Sequence, residues 1–377
     1  MTGTIIIGGG ILGAATAYRL AKAGEEVTLV DSSNPGQATD AGAGIVCPWV
    51  SKRRNPDWYA LAKGGARFYP SLVKELEANG ITETGYAKVG SLSLQEDDGK
   101  LKELFEIISN RKEDAPEIGE IELLDEQEVQ RRFPLLRSGF GAVHVSGGAR
   151  VDGRMLRDAL LEGARIYGAK QLTGKADLLH EESRIYGVRV GDMEIEANRV
   201  IAVNGAWMRD LLDPIFADKE LYFDVRPQRA QIIHLELAGV DGSEWPVAKS
   251  PFNQYMLMSG NRLIVGATQE NNTGFDRRMT AGGIHEILHK ALDLAPGLSD
   301  ATLLETRVGF RPMTPESVPV MGQLQGFKNL YVANGLGSSG LTMAPFMAKQ
   351  LANLVLGEQL DVKLENYNPS RIIKKKR

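Results

Sequence analysis

Three short segments of this sequence carry residues whose types and spacing suit binding or chemistry. Residues 8–13 form a glycine-rich turn of the pattern G-x-G-x-x-G, and residues 335–342 form a second glycine-rich turn. Between them, Arg307 and Arg311 stand four residues apart. Backbone N–H groups at the start of a helix bind phosphate, and a guanidinium clamps a carboxylate with two parallel hydrogen bonds. The segments predict a site for a phosphate-bearing cofactor and an anionic small molecule.

The first glycine turn lies in a strand–helix–strand unit, with these elements expected at residues 4–7, 11–23 and 27–30. Within it, Gly8 permits the tight turn, Gly10 lets the backbone approach a pyrophosphate, and Gly13 lets the helix pack on the strand. Asp31 ends the second strand, where a carboxylate can accept hydrogen bonds from a ribose hydroxyl pair. The unit therefore predicts a bound dinucleotide whose pyrophosphate lies at the helix N-terminus.

The segment that follows Asp31 bears on which dinucleotide is bound. Residues 36–44 are mostly small and include three glycines. A domain for NAD would continue into another helix and strand, whereas a loop of small residues can pack under a large flat ring such as the isoalloxazine of FAD. A flexible loop has a similar composition, so the residues alone favour FAD without excluding NAD.

Arg307 and Arg311 belong to an extended segment, residues 305–315. Residues i and i+4 of a strand face the same side, so both guanidinium groups are expected on one surface. There they could bind a carboxylate and fix its orientation. The alternative is a salt bridge, for Arg307 with Glu305.

The second glycine turn repeats the arrangement of the first. Residues 330–334 predict a strand, and the following helix is expected to run to Leu356 before Gly357. Its N-terminal N–H groups could stabilise negative charge on the ring of a reduced flavin.

These segments, together with residues 39–44, 205–207 and 226–232, resemble the D-amino-acid oxidase-like family of flavoproteins, which includes glycine oxidases, sarcosine oxidases and D-amino-acid dehydrogenases. The resemblance runs over nearly the whole chain. It implies FAD as the cofactor, held non-covalently, because no Cys or His stands at the C-terminal attachment position of sarcosine oxidases. The residues that it places at the FAD are Gly8, Gly10, Ile11, Leu12, Gly13, Asp31, Ser32, Thr39, Ala41, Gly42, Ala43, Gly44, Ile45, Ala176, Gly205, Trp207, Gly337, Ser338, Ser339, Gly340, Leu341 and Thr342.

The resemblance also implies residues for the substrate. Arg311 matches the carboxylate-binding arginine of the family, and Tyr255 matches a tyrosine over the substrate, although a half-buried strand tyrosine is the simpler interpretation of its sequence. Arg307 stands where many relatives carry an aromatic residue, so it either reshapes the pocket or pairs with a neighbouring acid. Leu336 and Ser338 replace a frequent histidine and an arginine of glycine oxidases, which leaves the amino acid specificity open.

The activity that the resemblance implies is FAD-dependent oxidative deamination of a small amino acid or N-alkyl amino acid, of the glycine, sarcosine or D-amino acid class. A hydride passes to flavin N5, and the imine product hydrolyses. Oxygen or a quinone-linked carrier would then take the electrons. Alternatives are a 2-hydroxy-acid or glycerol-phosphate dehydrogenase on the same fold, a non-catalytic flavin-binding assembly protein, and a dehydrogenase that uses NAD alone.

The implied fold combines α/β and α+β parts: a Rossmann-like FAD-binding domain of the glutathione-reductase type and a separate substrate domain on a large mixed or antiparallel sheet. The expected division is residues 1–85, 141–222 and 307–365 for the FAD-binding domain, 86–140 and 223–306 for the substrate domain, and 366–377 for a basic C-terminal tail, in which residues 374–377 are expected to be frayed and solvated. Further helices are expected at residues 58–78, 100–111, 125–132 and 281–294, and a hairpin at 255–258 and 263–268.

Composition narrows the remaining classes. A formal charge of −4 over 377 residues argues against a nucleic-acid binder. The single cysteine, Cys47, leaves no internal disulfide and no four-thiolate metal site, and we predict no metal. Apolar runs are only strand-length and no signal peptide is apparent, so the expected location is the cytoplasm, with a weak membrane contact through residues 374–377 as the minor alternative. A homo-oligomer is compatible with the sequence.

Overall fold

The structure is a computed structural model that describes residues 3–376. Its α-helices within that range are Ile11–Lys22, Ala38–Ala41, Pro56–Ala78, Asp98–Lys112, Glu126–Arg132, Gly153–Ile166, Met208–Leu212, Ala281–Leu294 and Gly340–Leu356. The predicted helices all lie within one to three residues of these bounds. No helix in the described part of the chain is both long and apolar enough to cross a bilayer.

A six-stranded sheet carries the first glycine turn. Its neighbouring strands are, in order, Val320–Gln323, Leu330–Asn334, Arg199–Ala202, Thr4–Ile7, Val27–Asp31 and Lys170–Thr173. All neighbours are parallel except the first two, which pair antiparallel. Every residue of Thr4–Ile7 is buried, because both faces of the sheet are covered.

Different layers cover the two faces of this parallel sheet. On one face, Ile6 and Leu29 pack with the helices Ile11–Lys22 and Gly340–Leu356. On the other face, Ile5 packs against a three-stranded meander. The meander consists of Ala176–Glu181, Arg184–Val190 and Met193–Glu196.

An eight-stranded sheet forms the second half of the molecule. In order its strands are Thr302–Met313, Arg226–Glu236, Arg262–Gly266, Tyr255–Ser259, Val247–Lys249, Ser91–Gln95, Gly141–Val145 and Ile121–Leu124. The pairs are antiparallel, apart from Val247–Lys249 with Ser91–Gln95. The predicted hairpin lies in its centre.

The large sheet bears on two of the predicted domain limits. Gly141–Val145 and Thr302–Met313 are strands of this sheet, although the sequence placed residues 141–145 and 307–313 in the FAD-binding domain. Both segments pair with strands of the expected substrate domain, because hydrogen bonds between strands and not chain order decide which sheet a strand joins. The rest of the division stays a prediction.

The C-terminal segment is a correction. The sequence predicts a frayed, solvated run at residues 374–377, but Ile373–Lys375 forms a strand that pairs antiparallel with Leu221–Phe223, and Arg377 lies outside the described residues. The adjacent Ile372 is buried and anchors the strand by apolar contact. The basic residues next to it make this contact hard to predict from composition. The side chains of Lys374 and Lys375 are exposed, so only their solvation was predicted correctly.

A third small sheet joins Ile45–Val46, Ala149–Val151 and Tyr86–Ala87.

Candidate functional site

A cavity of about 820 Å³ lies between the parallel sheet and one face of the large sheet. It is lined by the first glycine turn, the small-residue loop, the second glycine turn and Arg311. Segments more than three hundred residues apart in sequence therefore meet at one site. A cavity of this size suits a large organic ligand.

The first glycine turn is held by close backbone packing. Gly8 has a φ of +111°, a conformation that favours glycine. A Cβ added to Gly13 would lie 1.7 Å from the Gly8 carbonyl oxygen, so a side chain would push the helix off the strand. Gly10 and Ile11 line the cavity at the helix N-terminus, as predicted for a pyrophosphate site.

Asp31 stabilises the same turn from the end of the neighbouring strand. Its carboxylate accepts hydrogen bonds from the backbone N–H of Gly9 and, at 2.5 Å, from that of Ser33. The amide of Gln37 donates to it at 3.1 Å. Asp31 therefore joins the glycine turn to the loop that follows, in addition to lining the cavity where the ribose is expected.

The small-residue loop is packed against both halves of the molecule. It contains one helical turn, Ala38–Ala41, and the hydroxyl of Thr39 accepts a hydrogen bond of 2.9 Å from the N–H of Ile11. A Cβ added to Gly309, on the large sheet, would lie 2.6 Å from the Cβ of Ala41. This packing distinguishes the segment from a flexible loop, the other interpretation of its composition.

The second glycine turn lines the same cavity from the opposite end of the chain. The helix Gly340–Leu356 begins there, and the hydroxyl of Thr342 donates a hydrogen bond of 2.8 Å to the carbonyl of Ile45. This bond joins the turn to the end of the small-residue loop. The N-terminus of a long helix therefore faces the same cavity that the first glycine turn lines.

Two unpartnered polar atoms test whether the cavity fits a flavin nucleotide. Within residues 3–376, Oδ1 of Asn204 and the indole Nε1 of Trp58 are buried without a hydrogen-bond partner, and both residues line the cavity. A ligand with both donor and acceptor groups would satisfy them. FAD has donor and acceptor groups for these two atoms and negatively charged groups for the two glycine turns, so the residues of the cavity fit FAD.

Trp207 both packs against aromatic neighbours and lines the cavity. Its ring stacks on Phe275 with centroids 5.0 Å apart, and it also meets the edge of Phe310. It lines the cavity beside Gly205, near Ala176 of the meander. Ordinary packing therefore positions a residue that borders the expected cofactor.

At the end of the cavity formed by the large sheet, Arg311 is held without an acidic partner. Its Nη1 donates a hydrogen bond of 3.1 Å to Oε1 of Gln228, and among the described residues no carboxylate forms an ion pair with it. Burial lowers the pKa of Arg311 from its ordinary value. Burial also raises the pKa of the nearby Tyr255 to about 12, so its phenol stays protonated at neutral pH. The arrangement offers a guanidinium and a phenol to an anion.

Arg307 lies outside this cavity. Its guanidinium forms two hydrogen bonds with Glu305, at 2.9 and 2.8 Å, and a third at 3.1 Å with the carbonyl of Asp40. It lines a second cavity of about 340 Å³. Four residues of strand span roughly 13 Å, which separates Arg307 from Arg311 although both face the same side. The pairing with Glu305 is the alternative that the sequence left open.

The ion pairs around Glu305 predict a pH-dependent contribution to stability. Hydrogen bonds from Arg307 lower the pKa of Glu305 to about 2, and Arg262 lies 3.1 Å away. We expect Glu305→Gln to lower the free energy of unfolding by about 2 kcal/mol at pH 7. Because the pKa of Glu305 is lower in the folded protein than in the unfolded chain, its charge stabilises the fold at pH values above the unfolded pKa. The difference in the free energy of unfolding between wild type and variant should shrink below pH 4.5 and vanish near pH 2.

Denaturant unfolding between pH 7 and pH 3 measures this effect. Glu316→Gln is the matched control, because Glu316 pairs with Arg371 with 64% of its side chain exposed. Such an exposed pair contributes less than about 1 kcal/mol. Equal losses for the two variants, or a loss for Glu305→Gln that does not change with pH, would contradict the assignment.

Of the residues predicted from the sequence, the structure brings all but two to the main cavity. The exceptions are Gly13, which packs behind the turn, and Arg307. Residues that the sequence did not indicate also line it, namely Arg53, Trp58, Asn204, Lys249 and Gln254. Lys249 lies in a three-residue strand directly opposite Tyr255, and its position depends on strand pairing that no sequence motif marks.

Comparisons with known proteins agree with this geometry. A family model described as FAD dependent oxidoreductase, DAO, matches residues 4–354. The chain is 50% identical to the uncharacterized oxidoreductase YurR of Bacillus subtilis, over 98% of this chain and 99% of the relative. It is 29% identical to a glycine oxidase of Pseudomonas aeruginosa, over 97% of this chain and 98% of the relative.

A solved structure extends the similarity to three dimensions. The iminodiacetate oxidase of Chelativorans sp. BNC1 superposes with a TM-score of 0.93 at 45% identity, covering 97% of this chain and 98% of that protein. These matches confirm the predicted fold class and FAD as the cofactor, and they identify the chain as an enzyme that oxidises amines. The chain belongs to the DAO family of FAD-dependent oxidoreductases.

Proposed function

We propose that this enzyme oxidises the carbon–nitrogen bond of a small amino acid or N-alkyl amino acid whose carboxylate binds Arg311. The proposal goes beyond amine oxidation in general because it specifies a carboxylate next to the reacting carbon. The names of two relatives, glycine oxidase and iminodiacetate oxidase, support it, since both substrates are amino acids of this kind.

The observation that carries the proposal is the unpaired guanidinium of Arg311. A buried arginine normally has a carboxylate partner, because an uncompensated charge is costly away from water. Among the described residues, the neutral Gln228 is the hydrogen-bond partner of Arg311, which lines the cavity from the neighbouring strand. A substrate carboxylate would supply the missing negative charge and would be oriented by two parallel hydrogen bonds.

The task of the chain is placement. Bound FAD supplies a two-electron acceptor, so the substrate loses a hydride from carbon and a proton from nitrogen, and water then converts the imine to an oxo acid and an amine. Arg311 holds one end of the substrate, and the protonated Tyr255 offers a hydrogen-bond donor beside it. The large sheet forms the wall of the cavity at this end and fixes the position of both groups.

Anaerobic reduction of the holoenzyme tests the proposal. We expect the visible absorption of the flavin to bleach with at least one of glycine, sarcosine, proline, D-alanine or iminodiacetate, because each carries an amine next to a carboxylate. Lactate, glycolate and glycerol phosphate should leave the spectrum unchanged, since they have no carbon–nitrogen bond to oxidise.

Two results would contradict the proposal. Bleaching only by lactate, glycolate or glycerol phosphate would assign the enzyme to hydroxyl oxidation. Bleaching only by amines that lack a carboxylate, such as ethylamine, would remove the role of Arg311. Dithionite reduction of the same sample is the control that the flavin is accessible to an electron donor.

A further inference from the structure

A second cation at the substrate end of the cavity has no role in the mechanism above. Lys249 lines the main cavity, and within residues 3–376 no carboxylate forms an ion pair with it. Burial lowers the pKa of its ammonium group from the ordinary value, and Cys47 is the one group that opposes this shift. A lysine held in this way carries a positive charge that the folded chain does not neutralise.

Cys47 cannot supply the missing negative charge. Its Sγ lies 2.8 Å from the hydroxyl of Ser91, and burial raises the pKa of the thiol above its ordinary value. At neutral pH the cysteine is therefore an uncharged neighbour of Lys249. Lys249 and its neutral neighbour Cys47 both line the main cavity.

Strand pairing places Lys249 on the same face of the large sheet as Arg311. Lys249 lies opposite Tyr255, and Tyr255 lies opposite Gly266 on the next strand. Gly266 lies opposite Ile232, and Gln228, which pairs with Arg311, precedes Ile232 by four residues on the same strand. Directly paired residues share a face, and so do residues four apart on one strand. Lys249, Tyr255 and Arg311 therefore face the same side of the large sheet, and all three line the main cavity.

The carboxylates that line the cavity lie on its other side. Asp31 ends a strand of the parallel sheet and is hydrogen-bonded to the first glycine turn. Asp210 is exposed, on a short helix that packs against the meander strand Ala176–Glu181. Lys249 and Arg311 are consequently two cations on one face of the large sheet that have no carboxylate partner among the described residues, and one substrate carboxylate pairs with only one of them.

We propose that Lys249 binds a second acidic group of the substrate, so that the enzyme acts on amino acids with two carboxylates, one held by Arg311 and one by Lys249. This inference rests on the proposed function. The second carboxylate could stand on the nitrogen substituent, as in iminodiacetate, or on the side chain, as in aspartate. A ligand with both groups neutralises both cations, whereas glycine or sarcosine leaves Lys249 unpaired in the pocket.

Binding of an unreactive dicarboxylate to the holoenzyme tests the role of Lys249 without turnover. Diglycolate has two carboxylates and an ether oxygen in place of the amine, and methoxyacetate is its monocarboxylate counterpart. By calorimetry we expect Lys249→Met to weaken diglycolate roughly 10- to 100-fold, the loss of one charge-assisted hydrogen-bonded pair. Methoxyacetate should change less than about 3-fold, a small energy on the same scale.

Two further variants separate the charge from the fold. Lys249→Arg keeps the cation and should retain tighter binding of diglycolate than of methoxyacetate. Lys102→Met makes the same substitution on an exposed lysine of the helix Asp98–Lys112 and should change neither affinity. The inference is overturned if wild-type enzyme binds the two ligands equally, or if Lys249→Met weakens both ligands by the same factor.

Anaerobic flavin reduction identifies where the second carboxylate stands. Iminodiacetate against sarcosine tests the nitrogen substituent, and D-aspartate against D-alanine tests the side chain. We expect one dicarboxylate to exceed its partner at least ~10-fold in the rate at low concentration, and Lys249→Met to remove that preference. Reduction by the monocarboxylates alone overturns this inference and leaves the proposed function standing. Reduction by none of these four, and by neither glycine nor proline, defeats the proposed function, and the diglycolate measurement still decides the role of Lys249.

Discussion

Replacing Arg311 by leucine should raise the substrate concentration needed for half-maximal flavin reduction at least ~100-fold, because a lost charge-assisted pair of hydrogen bonds is worth several kcal/mol. Arg311 has no carboxylate partner in the described part of the chain, so its removal breaks no ion pair of the fold. The loss should therefore appear in substrate affinity and not in stability. Stopped-flow reduction under anaerobic conditions, with thermal unfolding alongside, measures both.

Two variants make the Arg311 result specific. Arg311→Lys keeps the charge but not the planar fork, so it should recover part of the affinity and not all of it. Arg131→Leu makes the same substitution at an exposed arginine of the helix Glu126–Arg132 and should leave affinity unchanged. If Arg311→Leu binds the amino acid as wild type does, the carboxylate does not bind at Arg311.

Replacing Gly13 by alanine should cost the enzyme most of its flavin. The added Cβ would lie 1.7 Å from the Gly8 carbonyl oxygen, so the helix Ile11–Lys22 must move away from the first strand. Overpacking of this kind costs roughly 1–3 kcal/mol in stability. The shift also displaces the helix N-terminus from the pyrophosphate site. The ratio of flavin to protein absorbance after purification measures the loss of cofactor.

Gly282→Ala is the matched control for Gly13→Ala. Gly282 lies in the helix Ala281–Leu294, and a Cβ added there would meet nothing within 4 Å. The same added methyl group should leave the flavin content unchanged and raise the free energy of unfolding by up to about 1 kcal/mol, since alanine favours helix over glycine. Full flavin content in Gly13→Ala would show that the turn tolerates a wider separation of strand and helix than its packing indicates.

The local elements of the fold were predictable because their signals are local. The strand Thr4–Ile7 is a continuous β-branched run, and the glycine turn and helix follow at once. The hairpin of Tyr255–Ser259 and Arg262–Gly266 has a glycine and an asparagine in its turn. Such signals depend on neighbours in sequence, so the same pattern forms the same element in many folds.

The sequence-based expectations differ from the structure where a segment pairs with a strand that is distant in the sequence. The basic run at the C-terminus has the composition of a solvated tail, yet Ile373–Lys375 pairs antiparallel with the strand Leu221–Phe223. Gly141–Val145 follows a predicted domain limit and nevertheless pairs with Ser91–Gln95 in the large sheet. Strand pairing contributes backbone hydrogen bonds whatever the separation in sequence, and composition does not report it.

The sequence by itself determined the expectation of a bound dinucleotide, because a G-x-G-x-x-G turn between a strand and a helix brings backbone N–H groups to a pyrophosphate. Only the tertiary structure decided which cations line the main cavity. Arg307 and Arg311 are equivalent in the sequence pattern, but the four residues of strand between them place them at different cavities. Lys249 belongs to no motif, and pairing with the strand of Tyr255 brings it to the face that Arg311 shares. Specificity depends on the distances between side chains on separate strands, and those distances exist only once the large sheet has formed.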